Sequence, residues 1–152
     1  MRNIFFIFVF FFLCSCGYTS VYKNQKSTDI MISIISSQGD NEINNLIKNQ
    51  LNIMSSPKSL NIFNISFKSN YEKITITKNS AGIATDYKLS TNVEFDINKN
   101  GIVKRITLNE NFNIKNDTEN FEQQNYERTI KRNFALSIKE KLIPYLVNFD
   151  DN

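Results

Sequence analysis

Apolar and polar positions change period several times along the chain, and each change marks an element. Residues 29–35 (DIMISII) are short, β-branched and apolar, which predicts a strand. Ser36-Ser37-Gln38-Gly39 reads as a turn. Asp40 or Asn41 can then cap a helix, and Glu42 complements the dipole of its first turn. Ile43, Leu46, Ile47 and Leu51 recur at spacings of three and four and make one apolar face. Ser55-Ser56-Pro57 ends that helix. Residues 60–77 are extended: Phe63, Ile65, Phe67 and Tyr71 fall on odd positions, then Ile74 and Ile76 on even ones. The change of parity predicts a β-bulge or break near residues 71–73.

The clearest alternation follows the turn Asn79-Ser80-Ala81-Gly82. Tyr87, Leu89, Val93, Phe95 and Ile97 alternate with polar residues, giving one buried and one wet face. Asn98-Lys99-Asn100-Gly101 supplies an Asn-Gly turn, and Ile102, Ile106, Leu108, Phe112 and Ile114 share one parity on the return. Residues 83–115 are therefore a β-hairpin. A last helix begins near Asp117 or Thr118. Its apolar face steps by four through Ile130, Phe134, Ile138 and Leu142, widened by Ala135 and Tyr145, and Pro144 should kink or end it. The order is β-α-β-β-β-α. The simplest arrangement is an α+β two-layer sandwich, with two helices packed on one face of a mostly antiparallel four-stranded sheet.

Residues 1–28 follow none of these periods. A short positive start, Met1-Arg2-Asn3, precedes an unbroken apolar run from Ile4 to Leu13. That run is too short to span a bilayer, which needs about 20 residues, but matches a signal-peptide core. Leu13-Cys14-Ser15-Cys16-Gly17 resembles the lipobox of bacterial lipoproteins. Cleavage before Cys16 would leave a thiol to take a diacylglyceryl group and an amine to be acylated, for instance with palmitate. The alternatives are an ordinary secretory signal or an uncleaved anchor. Residues 1–15 are then a lipoprotein signal peptide, 16–28 a lipidated tether, and 29–152 a single domain. Gly17, where an aspartate would favour retention at the inner membrane, points to the outer membrane.

Composition narrows the chemistry. The chain has 152 residues, 41% hydrophobic and 22% charged, as in a globular protein. A net charge of +3 with scattered cations does not suggest a nucleic-acid binder. There is no histidine, and both cysteines sit at the end of the leader, so neither a metal site nor an internal disulfide is expected. Asp29, Asp40, Asp86 and Asp96 fall at caps, turns or wet strand positions and show no pairing, so no enzyme and no cofactor is expected.

Cations and the wet face remain. Lys104 and Arg105 are adjacent on a strand and point to opposite faces. Lys104 shares the parity of Ile102 and Ile106 and would snorkel to water. Arg128, Lys131, Arg132, Lys139 and Lys141 lie along the last helix. These cations suit either a solvated surface or a patch for anionic head groups. The wet side of the sheet suits either open water or a polar cavity.

Cys-Gly-Tyr after the lipobox, with β-α-β-β-β-α, resembles the lipopolysaccharide-assembly lipoprotein family (LptE). Two stretches carry the likeness. One is Ala81-Gly82-Ile83-Ala84-Thr85-Asp86-Tyr87-Lys88-Leu89 running on to Phe95, a glycine turn, an acidic residue, tyrosine and leucine, and then an alternating strand. The other is the terminal helix, residues 126–146. The resemblance covers nearly all of the mature chain. It implies an outer-membrane lipoprotein that faces the periplasm, plugs the lipopolysaccharide-translocating β-barrel (LptD), assists its assembly and binds lipopolysaccharide in transit. The family's lipopolysaccharide-contacting basic residues match no motif here, and residues 116–120 hold no cation. Lys104, Arg105 and Lys115 are candidates by position. The competing expectation is a lipid-anchored auxiliary subunit of another envelope transport complex.

Overall fold

The computed structural model describes residues 29–116 and 120–151. The leader, Cys16, the tether and the cap at Asp117 or Thr118 lie outside these. The elements are β1 (Met31–Gly39), α1 (Asn41–Met54), β2 (Ile62–Lys78), β3 (Ala84–Lys99), β4 (Ile102–Lys115), α2 (Asn120–Val147) and a 3-10 turn (Phe149–Asp151). The strands lie in chain order, β1-β2-β3-β4. β1 runs parallel to β2, and the other pairs are antiparallel. This is the expected α+β sandwich.

Alternation decides which face the helices cover. Phe63, Ile65 and Phe67 of β2 and Val93, Phe95 and Ile97 of β3 point into one core with Ile43, Ile47 and Leu51 of α1. Ala135, Ile138, Leu142 and Leu146 of α2 complete it, and Phe149 meets Phe63 edge-on at 5.5 Å. Each such fully buried side chain contributes about 1.5–3 kcal/mol. Leu89, Ile114, Ile130 and Phe134 form a second, smaller cluster.

Asp40 caps α1 by accepting from the Ile43 N–H at 2.8 Å, and Ser55 ends the helix as expected. At four places the structure departs from the local pattern of the sequence. Ser36-Ser37-Gln38-Gly39 is not a turn but the second half of β1, pairing with residues 66–69 after a register shift at Ile35. The register of β2 with β3 is unbroken at 71–73; the irregularity lies at Ile76, between Thr75 and Thr77. Pro144 does not end α2, which runs on to Val147, because a proline in the last turn removes only one hydrogen bond. Tyr145 does not widen the buried face: it is exposed, and Leu146 is buried instead.

Gly39 turns the chain from β1 into α1 with φ +96°, and a Cβ there would lie 1.8 Å from the Ser69 carbonyl oxygen. The Asn100-Gly101 turn has φ +52° and +86°, the left-handed pair that a two-residue hairpin loop requires.

Candidate functional site

The helices leave one face of the sheet uncovered, and between Ile62 and Val103 at one end and Ile74 at the other the strands fill it with polar side chains. Every asparagine in the four strands points that way: Asn64, Asn70, Asn92, Asn98, Asn109, Asn111 and Asn113. Asparagine is disfavoured in strands, and a covered face would leave its amide unpaired. In cross-strand register Asn70, Asn92 and Asn109 form one row, Ser66, Asp96 and Arg105 a second, and Lys68, Glu94 and Thr107 a third. Two depressions lie on this face. One, of about 190 Å³, involves Ser36, Lys68, Glu94 and Asp96, and the other, of about 300 Å³, involves Asn70, Ser90, Asn92 and Asn109.

Charge on the open face is mostly neutralised within it. Arg105 donates to both Asp96 oxygens, at 2.6 Å and 3.0 Å, and its Nε lies 3.1 Å from Glu94. The Arg105 hydrogen bonds hold the Asp96 carboxyl below the usual carboxylate range. Farther along, hydroxyls of Thr77 and Thr85, and then the charge of Lys115, hold Asp86 low in the same way. Lys88 and Lys115 occupy diagonal positions on β3 and β4, about 7–8 Å apart.

The three candidate cations do not converge. Lys104 lies on the covered side, where its Nζ donates to the Phe149 carbonyl and sits 4.5 Å over the Phe149 ring. Arg105 faces the opposite way, held by two carboxylates. Lys115 ends β4, in register with Asp86. Lys115 lies eleven positions along the strand from Lys104, roughly 35 Å. A phosphate approaching Arg105 must therefore compete with Asp96 and Glu94. Sequence reasoning missed that pairing, although the Asn100-Gly101 turn carries the signal. A two-residue loop fixes hairpin register and places Asp96 opposite Arg105, and Asp86 opposite Lys115.

On the covered side an ionic cluster ties α2 to the long hairpin. Glu127 accepts from the Tyr71 hydroxyl at 2.6 Å and Lys73 at 2.9 Å, with Lys131 at 3.7 Å. Lys131 also pairs with Glu42 of α1 at 2.7 Å and lies 4.2 Å over the Tyr71 ring. Burial pushes Glu127 up, but Tyr71, Lys73 and Lys131 outweigh it and hold the carboxyl low. Burial first, then the bond to Glu127, drives the Tyr71 phenol far above its usual range.

A third groove, of about 730 Å³, runs between the end of β4 and the start of α2, beside Phe112, Ile114, Lys115 and Tyr126. Gln123 also lines it, and its Nε2 is buried without a hydrogen-bond partner. Among the described residues no group of three or more carboxylates gathers to hold a metal, and no helix is long and apolar enough to cross a membrane.

No protein-family model and no curated protein matches the chain. Solved structures do. Rare lipoprotein B from Shewanella oneidensis superposes with a TM-score of 0.56 at 15% identity, covering 78% of this chain and 99% of that one. A lipoprotein from Caulobacter crescentus gives 0.50 at 12% identity, over 80% of this chain and 93% of that one. Lipoprotein B from Nitrosomonas europaea gives 0.50 at 11% identity, over 81% and 88%. The chain shares its fold with bacterial lipoproteins. At these identities the likeness extends to the fold alone.

Proposed function

We propose that this protein is an outer-membrane lipoprotein, acylated on Cys16, whose domain occupies the lumen of the lipopolysaccharide-translocating β-barrel and assists its assembly. One observation carries the reading: a sheet face whose middle is amides, hydroxyls and largely paired charges, left open on a lipoprotein fold. Such a surface can be enclosed by a polar lumen at little cost, because amides donate and accept and most of the charges are compensated within it. An apolar partner would orphan the amides and hydroxyls. Four strands at about 4.8 Å spacing, with helices about 10 Å thick behind them, give a cross-section of roughly 20 Å. That bulk suits barrels of the 22-stranded class, whose lumen holds a plug.

Within this reading Arg105 serves the sheet and not the ligand, since Asp96 and Glu94 occupy it. Lys88 and Lys115, exposed on the open face toward the β2–β3 turn, are the cations placed to meet the phosphates of lipopolysaccharide, Lys115 in competition with Asp86 opposite it. Affinity purification of the tagged mature protein from its own envelope should recover one large barrel in near-stoichiometric yield. Recovery of an inner-membrane permease instead would favour an auxiliary transporter subunit, and recovery of neither would overturn the proposal.

A further inference from the structure

We infer that in the free lipoprotein, before a barrel encloses it, the pole at which the chain enters the domain rests on the lipid bilayer through an apolar contact, so that the β2–β3 hairpin points away from the membrane. The inference rests on acylation at Cys16 and not on the barrel. The entry point is fixed: Ser59 Oγ donates to the Asp29 carbonyl at 2.7 Å, and the Ser56 N–H to that of Ile30 at 2.8 Å. The loop that makes these bonds also carries Leu60, 97% exposed, and the last turn of α1 carries Ile53, 78% exposed. The β3–β4 turn reaches the same pole and adds Ile102 and Val103, and the end of α2 adds Val147, each more than half exposed. Single exposed apolar residues are ordinary; several gathered around the root of an anchor are not.

Tether length selects this pole over the other, which also exposes Ile74, Ile76 and Ile83. Residues 16–28 reach at most about 45 Å when fully extended. β2, with 17 residues, runs roughly 55 Å from the entry pole to the hairpin tip. The tip therefore cannot stand on the bilayer that holds the anchor. Lying flat would press against lipid either the polar open face or the charged outer side of α2, with Arg128, Arg132, Glu140 and Lys141. Resting on the entry pole satisfies both constraints, and the tether keeps the local concentration of bilayer high. Cations stand at this pole too, with Lys58 exposed two residues before Leu60 and Lys99 paired with Asp150, so charge adds to the contact without carrying it. The apolar part of the contact should therefore persist in salt.

The chain has no tryptophan, so one introduced indole is an unambiguous probe. Full-length lipidated protein carrying Leu60→Trp, and separately Ile83→Trp, would be placed in phosphatidylethanolamine–phosphatidylglycerol vesicles with brominated acyl chains. Acylation at Cys16 is verified by mass spectrometry on the same samples. Leu60→Trp should be quenched at least about twofold, and still clearly quenched in about 0.5 M salt, and Ile83→Trp should not be quenched. An unquenched Leu60→Trp, equal quenching at both sites, or a bare Cys16 would overturn the inference. No barrel is present in this assay, so its outcome is independent of the envelope purification.

Discussion

Glu127 offers the sharpest test of how the molecule is held together. It is the junction of α2 with the long hairpin, accepting from Tyr71 and Lys73 and facing Lys131. Glu127→Gln keeps the volume and an oxygen for the Tyr71 hydroxyl but removes the charge opposite two lysines. Fully exposed pairs are worth about 0.2–1 kcal/mol and breaking buried ones costs about 3–5. The side chains here are 16% exposed for Glu127, 13% for Lys131 and 32% for Lys73, between those limits. The expected loss is about 1–2 kcal/mol, which for a domain of this size lowers Tm by about 4–8 °C in a thermal melt at pH 7. The control is Glu72→Gln on the open face, where the carboxylate accepts only from Asn70 at 2.8 Å and the change should stay within about 0.5 kcal/mol. Because the folded-state pKa of Glu127 is depressed, its contribution is complete above the ordinary glutamate value of 4.5 and is lost as the pH falls through the folded value. The gap between wild type and Glu127→Gln should therefore close below pH 4.5. Equal melting shifts for the two variants at pH 7, or a gap that persists in acid, would refute the assignment.

Phe63→Ala removes a fully buried ring and its edge contact with Phe149, and should cost about 3–5 kcal/mol, read as a lower urea midpoint at unchanged slope. Gly39→Ala places a methyl against the Ser69 carbonyl at a backbone angle hostile to L residues; a loss of at least about 3 kcal/mol by the same titration is expected. Asn92→Trp puts a large ring in the middle of the open face. It should leave the melting temperature nearly unchanged, a shift within about 0.5 kcal/mol, yet abolish recovery of the barrel from the envelope.

Much of the fold is legible because local signals agree. The β3–β4 hairpin announces itself by strict alternation and by Asn100-Gly101, and α1 by its spacing and the Asp40 cap. The errors arise where tertiary contact overrides local chemistry. Ser36-Ser37-Gln38-Gly39 has the composition of a turn, but a parallel neighbour supplies backbone partners and draws it into β1. At Ile74 and Ile76 the apolar pattern moves to the other face of a continuous strand, because no helix covers that end of the hairpin. Periodicity alone cannot distinguish such a change of face from a bulge. The open face is legible as wet but not as a site. Its rows depend on the register of β2 with β3, which the loop between them does not announce, and the asparagine excess reads as a bias of composition until the strands align it on one side.

The open face as the barrel-contacting surface is tested most directly by a photo-crosslinking residue at position 92, activated in intact cells. A single prominent adduct, carrying a large outer-membrane β-barrel, is expected. A chain that remains uncrosslinked there, or that captures an inner-membrane permease, would contradict it.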